Sequence, residues 1–445
     1  MTEIVSTEPP SEIFLPQDKL PIWKYFTLGG QHVLAMAGST ILGPLLMGFD
    51  PNVALFCSGA ATILFFVILN GRIPSYLGSS FSFVAAVAAA TAYSGGGGFN
   101  AHIDIALSGI MAAGALYALT GAVVMVAGHE WIDRVFPPLV TGTIVAAIGL
   151  NLAQAAVKEV SGSPFNMLFG LFTLFTFAIM AVRLPKRIVN FSVLVALAVC
   201  YAVYFVCTDI LQLGPPITLG QGDMRLFGVP HFTLAKYDIA AITLIAPVFV
   251  ILVAENLGHI RAIGTMTETD LTPYIGKAFV ADGAATFLAG FVGGTGVTTY
   301  AENIGVMSMT KNFNALSFAV AGAIAMVLGV SPFFGTLIRT IPVPIIGGMS
   351  FVLFGLIVGA ALRIWLVAAV RETSGGQGEA VTPDALAQEL GRYTTVARGL
   401  TIGVPLVISA GDLTIRAGNY AFGGITMATI AALVLNHALV GKPRR

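Results

Sequence analysis

The chain has 445 residues, of which 56% are hydrophobic and 10% are charged, and its formal net charge at pH 7 is zero. Soluble domains carry about 25% charged residues, so this composition excludes an ordinary water-soluble protein and indicates a polytopic membrane protein. The balanced charge gives no indication of a nucleic-acid partner. The three cysteines lie in apolar runs without metal-ligand spacing, which is typical of buried hydrophobic side chains.

The predicted membrane segments follow the hydropathy of the chain. A helix needs about 20 apolar residues to cross a bilayer. Long apolar runs lie at 26–48, 52–69, 105–128, 139–157, 165–184, 191–207, 239–258, 279–292, 316–338, 343–361 and 421–439. Shorter or interrupted apolar segments lie at 81–92, 303–309 and 400–410. Together they predict an all-α polytopic membrane protein with about 14 transmembrane segments.

The distribution of positive charge favours a cytoplasmic location for both termini. With that orientation, 17 of the 22 lysines and arginines fall on the cytoplasmic side. The N-terminal residues 1–25 lack the basic and apolar regions of a signal peptide. We therefore expect a multi-pass protein of the cell inner membrane, with 1–25 and 441–445 as cytoplasmic tails.

Two long connections divide the chain. Residues 209–238 are rich in glycine and proline and are predicted to form an extracellular loop. This loop separates a first repeat at 26–208 from a second repeat at 239–440, each with about seven segments. Residues 371–397 are polar and are predicted to form a cytoplasmic loop within the second repeat. No chemical role is assigned to either loop.

The third segment of each half is short and is bordered by small residues. In the first half it begins at 76–83, and in the second half it spans 298–311, after three glycines at 293, 294 and 296. Paired short, glycine-interrupted segments at corresponding positions are a pointer to the binding site of a transporter. The alternative is a pair of ordinary kinked helices.

Polar side chains are concentrated in the first and third segments of each half. Because an ionisable residue at the bilayer centre costs at least ~2.5 kcal/mol, such residues are candidates for a functional site. Glu255 and His259 are four residues apart and share a helix face. They could also form a structural pair, and Asp282 is predicted to serve helix packing or gating. The remaining candidates are Gln31, His32, Glu302 and Asn303.

Several stretches resemble the nucleobase–ascorbate transporter family, most closely its bacterial uracil–proton symporters. They are Gln31-His32, IPSYLGSSFSF at 73–83, FPPLVTGTIVAAIGLNLA at 136–153, AENLGH at 254–259 and TTYAENIGVMSMTK at 298–311. The last contains the family signature of an acid or amide, asparagine, glycine, threonine and a basic residue. Here these are Glu302, Asn303, Gly305, Thr310 and Lys311.

The resemblance implies two inverted seven-segment repeats, a core and a gate domain, short strands in the third segments, and a homodimer. It places substrate contacts at Phe81, Glu255, Tyr300, Ala301 and Glu302. It assigns proton coupling to Glu255 and His259. It assigns supporting roles to Gln31, His32 and Asn303. Two residues depart from the family pattern: Ala301 stands where glycine is usual, and Asn256 replaces a histidine.

The predicted function is import of a pyrimidine nucleobase, most of all uracil, by proton symport in the lipid bilayer. Uracil presents N–H donors that carboxylates accept, and in the family an acid at position 302 accompanies uracil-type substrates. No metal or other cofactor is expected. The alternatives are a purine symporter of the xanthine or uric acid type, a passive nucleobase channel and an anion exchanger. An enzyme is not expected, because no nucleophile or metal set accompanies the two carboxylates.

Overall fold

The computed structural model describes residues 13–93, 95, 98–185, 188, 191–217, 224–373, 395–417 and 420–440. Up to residue 217 the described residues form helices and one short strand, joined by loops. Its elements are α1 (Ile22–Met47), α2 (Pro51–Ile68), β1 (Leu77–Ser79), a 3₁₀ turn (Phe81–Phe83), α3 (Val84–Thr91), α4 (Ile103–Ala127), α5 (Glu130–Val135), α6 (Pro138–Val160), α7 (Pro164–Arg183) and α8 (Ser192–Phe205), which continues as a π-helical turn (Val206–Ile210).

The second part of the chain is also mostly helical. It contains α9 (Ile239–Ile245), a 3₁₀ turn (Ala246–Val248), α10 (Phe249–Thr267), a 3₁₀ turn (Thr272–Tyr274), α11 (Ile275–Val292), β2 (Val297–Thr299), α12 (Ala301–Thr310), α13 (Ala315–Gly329), α14 (Pro332–Arg339) and α15 (Val343–Thr373). It ends with α16 (Val396–Ala410), the hairpin strands β3 (Ile415–Ala417) and β4 (Tyr420–Phe422), α17 (Gly424–Leu435) and a π-helical turn (Asn436–Val440).

Within the described residues, eight helices are long and apolar enough to cross a membrane, and α13 with α14 counts as a ninth if that bent pair is one span. The predicted number of 14 includes shorter elements and stays a prediction. The apolar segment predicted at 316–338 is divided into α13 and α14, whose axes are bent by 81°. Pro332 cannot donate a backbone hydrogen bond, and Ser331 caps the new helix by accepting from Phe334 N at 3.4 Å.

Some predicted boundaries also move. The segment predicted at 239–258 continues as α10 to residue 267, and the segment predicted at 343–361 continues as α15 to residue 373. α15 and α16 therefore occupy both ends of the loop predicted at 371–397, while 374–394 lie outside the described residues. The tails 1–12 and 441–445 lie outside them as well.

The predicted N-terminal tail is docked on the protein from residue 13 onwards. Phe14 N donates to Lys311 O at 3.0 Å, and Phe313 N donates to Phe14 O at 2.8 Å. The Asn314 side chain donates to Asp18 O at 2.6 Å. The segment before α1 is thereby hydrogen-bonded to the chain that follows α12.

Glycines allow the long helices of the two halves to pack backbone against backbone. α4 and α11 run antiparallel, with Gly114 against Gly283 and Gly121 against Gly276. A Cβ added at Gly283 would lie 2.7 Å from both Gly114 O and Ala118 Cα. α2 and α13 approach in the same way, since a Cβ at Gly322 would lie 2.7 Å from the carbonyl oxygen of residue 59.

Replacing Gly283 with Ala is expected to destabilise the protein by about 1–3 kcal/mol, because overpacking separates α4 from α11. The matched control is Gly399→Ala on α16, where an added Cβ has no atom within 4 Å. Thermal unfolding of the purified protein in detergent measures the difference. Equal melting temperatures for the two variants would contradict the close packing described here.

The two short strands pair with each other across the halves, and this confirms the prediction of strands in the third segments. β1 and β2 are antiparallel, with Gly78 opposite Thr298. Tyr300 N donates to Tyr76 O at 2.9 Å, and Ser80 N donates to the carbonyl oxygen of residue 296 at 2.9 Å. The strands therefore satisfy one another's backbone groups within the apolar interior.

Hydroxyl groups of the preceding helices bind the first residue of each strand. Leu77 N donates to Thr62 Oγ1 of α2 at 3.0 Å, and Leu77 O accepts from Ser58 Oγ at 2.6 Å. Val297 O accepts from Thr286 Oγ1 of α11 at 2.9 Å, and Val297 N donates to the same hydroxyl at 3.3 Å. Both strands are thus held in the same way by the helix before them.

Candidate functional site

The N-terminus of α12 carries the first acid of the candidate site. Glu302 lies in its first turn, where backbone N–H groups are unpaired by the helix and the helix dipole is positive. Ser39 Oγ of α1 donates to Glu302 Oε1 at 2.5 Å. Ser39 is buried, whereas Glu302 is partly exposed. One carboxylate oxygen is therefore held by α1, and the side chain reaches an accessible surface.

Tyr300 connects α1 to β1 directly before α12. Its hydroxyl donates to Ser79 O at 2.8 Å and accepts from Thr40 Oγ1 at 3.2 Å. The side chain is buried. Its expected substrate contact therefore involves the ring or backbone more than the hydroxyl. The side chain of Ala301, the other expected contact in this stretch, lies outside the described part of the protein.

Glu255 and His259 lie on one face of α10, as their spacing predicts, and both are partly buried. His259 Nδ1 is 2.6 Å from Thr299 Oγ1 of β2. In the described part of the chain, the imidazole is hydrogen-bonded to this hydroxyl rather than to Glu255. Glu255 lies close enough to Glu302 for the two carboxylates to repel each other. The structure thus brings Glu255, His259 and Glu302 to one place.

Behind Glu255 lies a buried polar network. Asn256 Nδ2 donates to Asp282 Oδ2 at 2.6 Å and to the Tyr117 hydroxyl at 2.7 Å. These three side chains are fully buried and join α4, α10 and α11. Asp282 therefore joins these helices, one of the two roles predicted for it, and Asn256 is bonded to this network rather than to the partly buried carboxylates of the site.

The supporting residues predicted on α1 and α12 also meet. Asn303 Nδ2 donates to His32 O at 3.1 Å and lies 3.2 Å from His32 Nδ1. Since the amide nitrogen can only donate, the network assigns Nδ1 as an acceptor and the ring proton to Nε2. The His32 ring packs on Phe318 with a centroid distance of 4.0 Å. Gln31, beside it on α1, is partly buried.

Phe81 borders the site at the start of the 3₁₀ turn after β1. Its partly exposed ring meets Phe354 of α15 edge to face, with centroids 5.8 Å apart. An aromatic face at this position offers a planar ligand a stacking surface. Phe81 also joins the strand-bearing elements to the separate group formed by α15 and its neighbours.

The carboxylates face open space on one side. Gly258 lies three residues after Glu255, and Gly305 lies three residues after Glu302, so each glycine is on the same helix face as its acid. A Cβ added at either glycine would meet no atom within 4 Å. Each helix therefore has open space beside its glycine, on the face that carries the acid. Across the described residues, no cluster of three or more His, Cys, Asp or Glu is arranged to hold a metal ion.

Sequence reasoning missed the hydroxyl partners of the site, namely Ser39, Thr40 and Thr299. A signal for the first was present, because Ser39 follows His32 by seven residues and so lies on the same face of α1 two turns later. Thr299 carried no comparable signal, since its contact with His259 depends on the pairing of the two strands.

Comparison with known proteins identifies the family of the chain. The profile of a permease family matches residues 23–375. RutG of Escherichia coli (strain K12), named as a pyrimidine permease, is 45% identical over 441 residues, covering 99% of this chain and 95% of that protein. The uracil permease of Bacillus caldolyticus is 30% identical over 446 residues, covering 96% and 95%. The chain belongs to the nucleobase–ascorbate transporter family of permeases.

Members of this family are transporters rather than enzymes. The apolar helices make this chain an integral membrane protein. Solved structures with low sequence identity share its fold. The transmembrane domain of a cyanobacterium bicarbonate transporter, BicA, matches with a TM-score of 0.58 at 14% identity, covering 95% of this chain and 100% of that chain. The murine anion transporter Slc26a9, in its inward-facing state, matches with a TM-score of 0.63 at 11% identity, covering 96% and 70%.

Proposed function

We propose that the chain is a secondary active transporter of the cell inner membrane that imports a pyrimidine nucleobase, most of all uracil, together with protons. The observation that carries the proposal is the placement of Glu302, at the N-terminus of a half-helix, beside Glu255 and open space. The names of the relatives, which include pyrimidine and uracil permeases, support this substrate class.

The chemistry of the site matches the edge of uracil. The base has two N–H donors flanked by carbonyl acceptors. Hydrogen bonds accepted by an ionised carboxylate are about twice as strong as hydrogen bonds between two neutral groups. Glu302 would accept from one N–H group of the base as a carboxylate, and Glu255, protonated when the base binds, would accept through its carbonyl oxygen. The unpaired N–H groups of α12 would donate to a carbonyl oxygen of the base. Phe81 would pack on the ring, and Tyr300 and Ala301 would line it with backbone groups.

The contacts between helices support two inverted seven-segment repeats with 14 segments in all. Leaving out the short helix α5 and counting β1 with α3, α9 with α10, β2 with α12, and α13 with α14 as single segments gives seven segments up to residue 210 and seven after 238. In the two repeats, α2 corresponds to α11, α4 to α13 and α6 to α15. The contact of α2 with α13 therefore corresponds to the contact of α11 with α4, and the contact of α6 with α15 corresponds to itself. The hydroxyl bonds to Leu77 and Val297 follow the same correspondence.

The proposed mechanism moves a core domain, α1–α4 with α9–α13, against a gate domain, α6–α8 with α15–α17. Glu255 takes a proton from the outside, and His259, oriented by Thr299, tunes it. The base then binds, the core rocks against the gate, and the site opens to the cytoplasm. Glu255 releases the proton there and the base leaves. Both termini are cytoplasmic in this scheme, and the protein forms a homodimer.

Uptake measurements distinguish two alternative functions, one with another substrate class and one with another type of transport. A purine symporter of the xanthine or uric acid type would take up purines in preference to uracil. A passive nucleobase channel would equilibrate its substrate without accumulation. The shared fold with anion transporters does not favour anion exchange here, because two neighbouring carboxylates repel anions.

Uptake of labelled bases tests the proposal. Cells lacking their own nucleobase permeases and expressing the protein are given uracil, thymine, xanthine and uric acid, with and without a protonophore. We expect saturable accumulation of uracil, weaker uptake of the purines, and loss of accumulation with the protonophore. Uracil uptake that ignores the protonophore would indicate a passive channel, and preferential purine uptake would overturn the substrate assignment.

A further inference from the structure

Residues 224–237, here called the surface segment, pass over the ends of three membrane helices. Their backbone N–H groups donate to Val330 O beside the end of α13 at 2.9 Å, to Val292 O at the end of α11 at 3.3 Å, and to Asp104 O in the first turn of α4 at 2.8 Å. Because α4 and α11 are long and apolar enough to span a bilayer, their ends mark its boundary. The surface segment therefore lies at the level where lipid meets water.

The side chains of the surface segment are largely apolar and exposed. Val229 is 80% exposed, Tyr237 is 76% exposed and Phe227 is 70% exposed. The other large apolar side chains that the surface segment exposes are Met224, Leu226, Phe232 and Leu234. Exposed apolar side chains concentrated in one place mark a surface that contacts a partner or a membrane.

The charges of the surface segment all have one sign. Its cations are Arg225 and Lys236, and it contains no aspartate or glutamate. Basic side chains combined with aromatic and aliphatic ones are typical of segments that lie in the headgroup region of a bilayer. The composition of the surface segment therefore favours a lipid surface as its partner.

The apolar surface of the neighbouring helices continues into the surface segment. Phe291 is exposed near the end of α11, and Val327 is exposed near the end of α13. The axes of α13 and α14 are bent by 81°, so α14 lies close to the membrane plane when α13 crosses the bilayer. Phe333 and Leu337, one turn apart on α14, are both exposed. Since Phe333 N donates to Arg225 O at 3.1 Å, the surface segment lies directly beside this apolar face.

We propose that the surface segment is an interfacial anchor whose apolar side chains insert between the lipid headgroups, with its cations at the level of the lipid phosphates. The anchor is attached to α4, α11 and α13, which all belong to the proposed core domain. This inference goes beyond the transport function, because it holds whichever base the protein carries.

Spin labels on the surface segment test the anchor. Val229→Cys and Leu234→Cys are made singly in a Cys207→Ala background, since Cys57 and Cys200 are buried. The labelled protein is reconstituted in vesicles of phosphatidylethanolamine and phosphatidylglycerol. Collisions of the label with oxygen, which concentrates in lipid, are compared with collisions with a water-soluble nickel chelate. At both positions we expect collisions with oxygen to exceed collisions with the chelate.

The matched control is Ser161→Cys in the same background. Ser161 is exposed at the end of α6. Because α4 and α6 are both apolar enough to span the membrane and only the short helix α5 lies between them, the end of α6 is on the same side as the start of α4. The control label is therefore close in depth to the surface segment, but its neighbours are polar, and we expect the chelate to dominate there.

Two results would overturn the inference. Collisions with the chelate that exceed those with oxygen at either position of the surface segment would show that water covers it. Few collisions with both reagents would show that protein, such as a second copy of the chain, covers it instead.

Discussion

Replacing Glu302 with Gln is expected to lower the affinity for uracil about 100-fold. The amide keeps the shape of the side chain but loses the charge, and its nitrogen presents a donor to the donor edge of the base. Loss of a hydrogen bond to a charged group costs up to about 3 kcal/mol, which corresponds to about a 100-fold change in dissociation constant. The Ser39 hydroxyl can still donate to the amide oxygen, so the local fold is retained.

Equilibrium binding of labelled uracil and xanthine to the purified variant measures this effect. Glu130→Gln is the matched control, because that glutamate is an exposed side chain of α5 with Arg134 as its partner. Xanthine binding is expected to be less affected than uracil binding, since an amide both donates and accepts. Unchanged uracil affinity would remove Glu302 from the residues that contact the base.

Replacing Glu255 with Gln is expected to abolish proton-driven accumulation of uracil while binding persists. An amide cannot take up and release a proton between pH 5 and 9, so the variant has no carrier for the coupling ion. Exchange of bound for unbound base does not require net proton movement. It should therefore continue in the variant, because the amide oxygen still accepts from the base.

Proteoliposomes separate the two activities. An imposed pH gradient measures accumulation, and preloaded unlabelled uracil measures exchange. Wild-type protein and the Glu130→Gln control should perform both, whereas Glu255→Gln should perform exchange only. Normal accumulation by Glu255→Gln would show that another group carries the proton. Loss of both activities would indicate that Glu255 contributes mainly to binding of the base.

Much of the fold could be predicted from the local composition of the sequence. Apolar runs located the long helices to within a few residues, except where helices continued into polar ends, as α10 and α15 do. The glycines before Thr298 and the small residues around Ser79 indicated two interrupted segments, and the structure has a strand there in each half. The polar residues Glu302 and Asn303 stood out because apolar surroundings make them costly.

The remaining features depend on contacts between distant residues. Ser39 and Glu302 are 263 positions apart, and neither side chain alone reveals that the two meet. The role of Asp282 follows from Asn256 and Tyr117, which lie on two other helices. The bend between α13 and α14 left hydropathy almost unchanged, because Pro332 and its neighbours remain within an apolar run.

The pairing of β1 with β2 has a consequence for biosynthesis. Ser79 and Tyr300 are hydrogen-bonded although they lie 221 positions apart. At about 5–20 residues per second, a ribosome needs roughly 10 to 45 s to make the intervening chain. During that interval Thr62 and Ser58 can already hold Leu77, but the outer edge of β1 has no partner strand. That edge therefore needs cover from lipid until the second half arrives, and neither half makes the binding site alone.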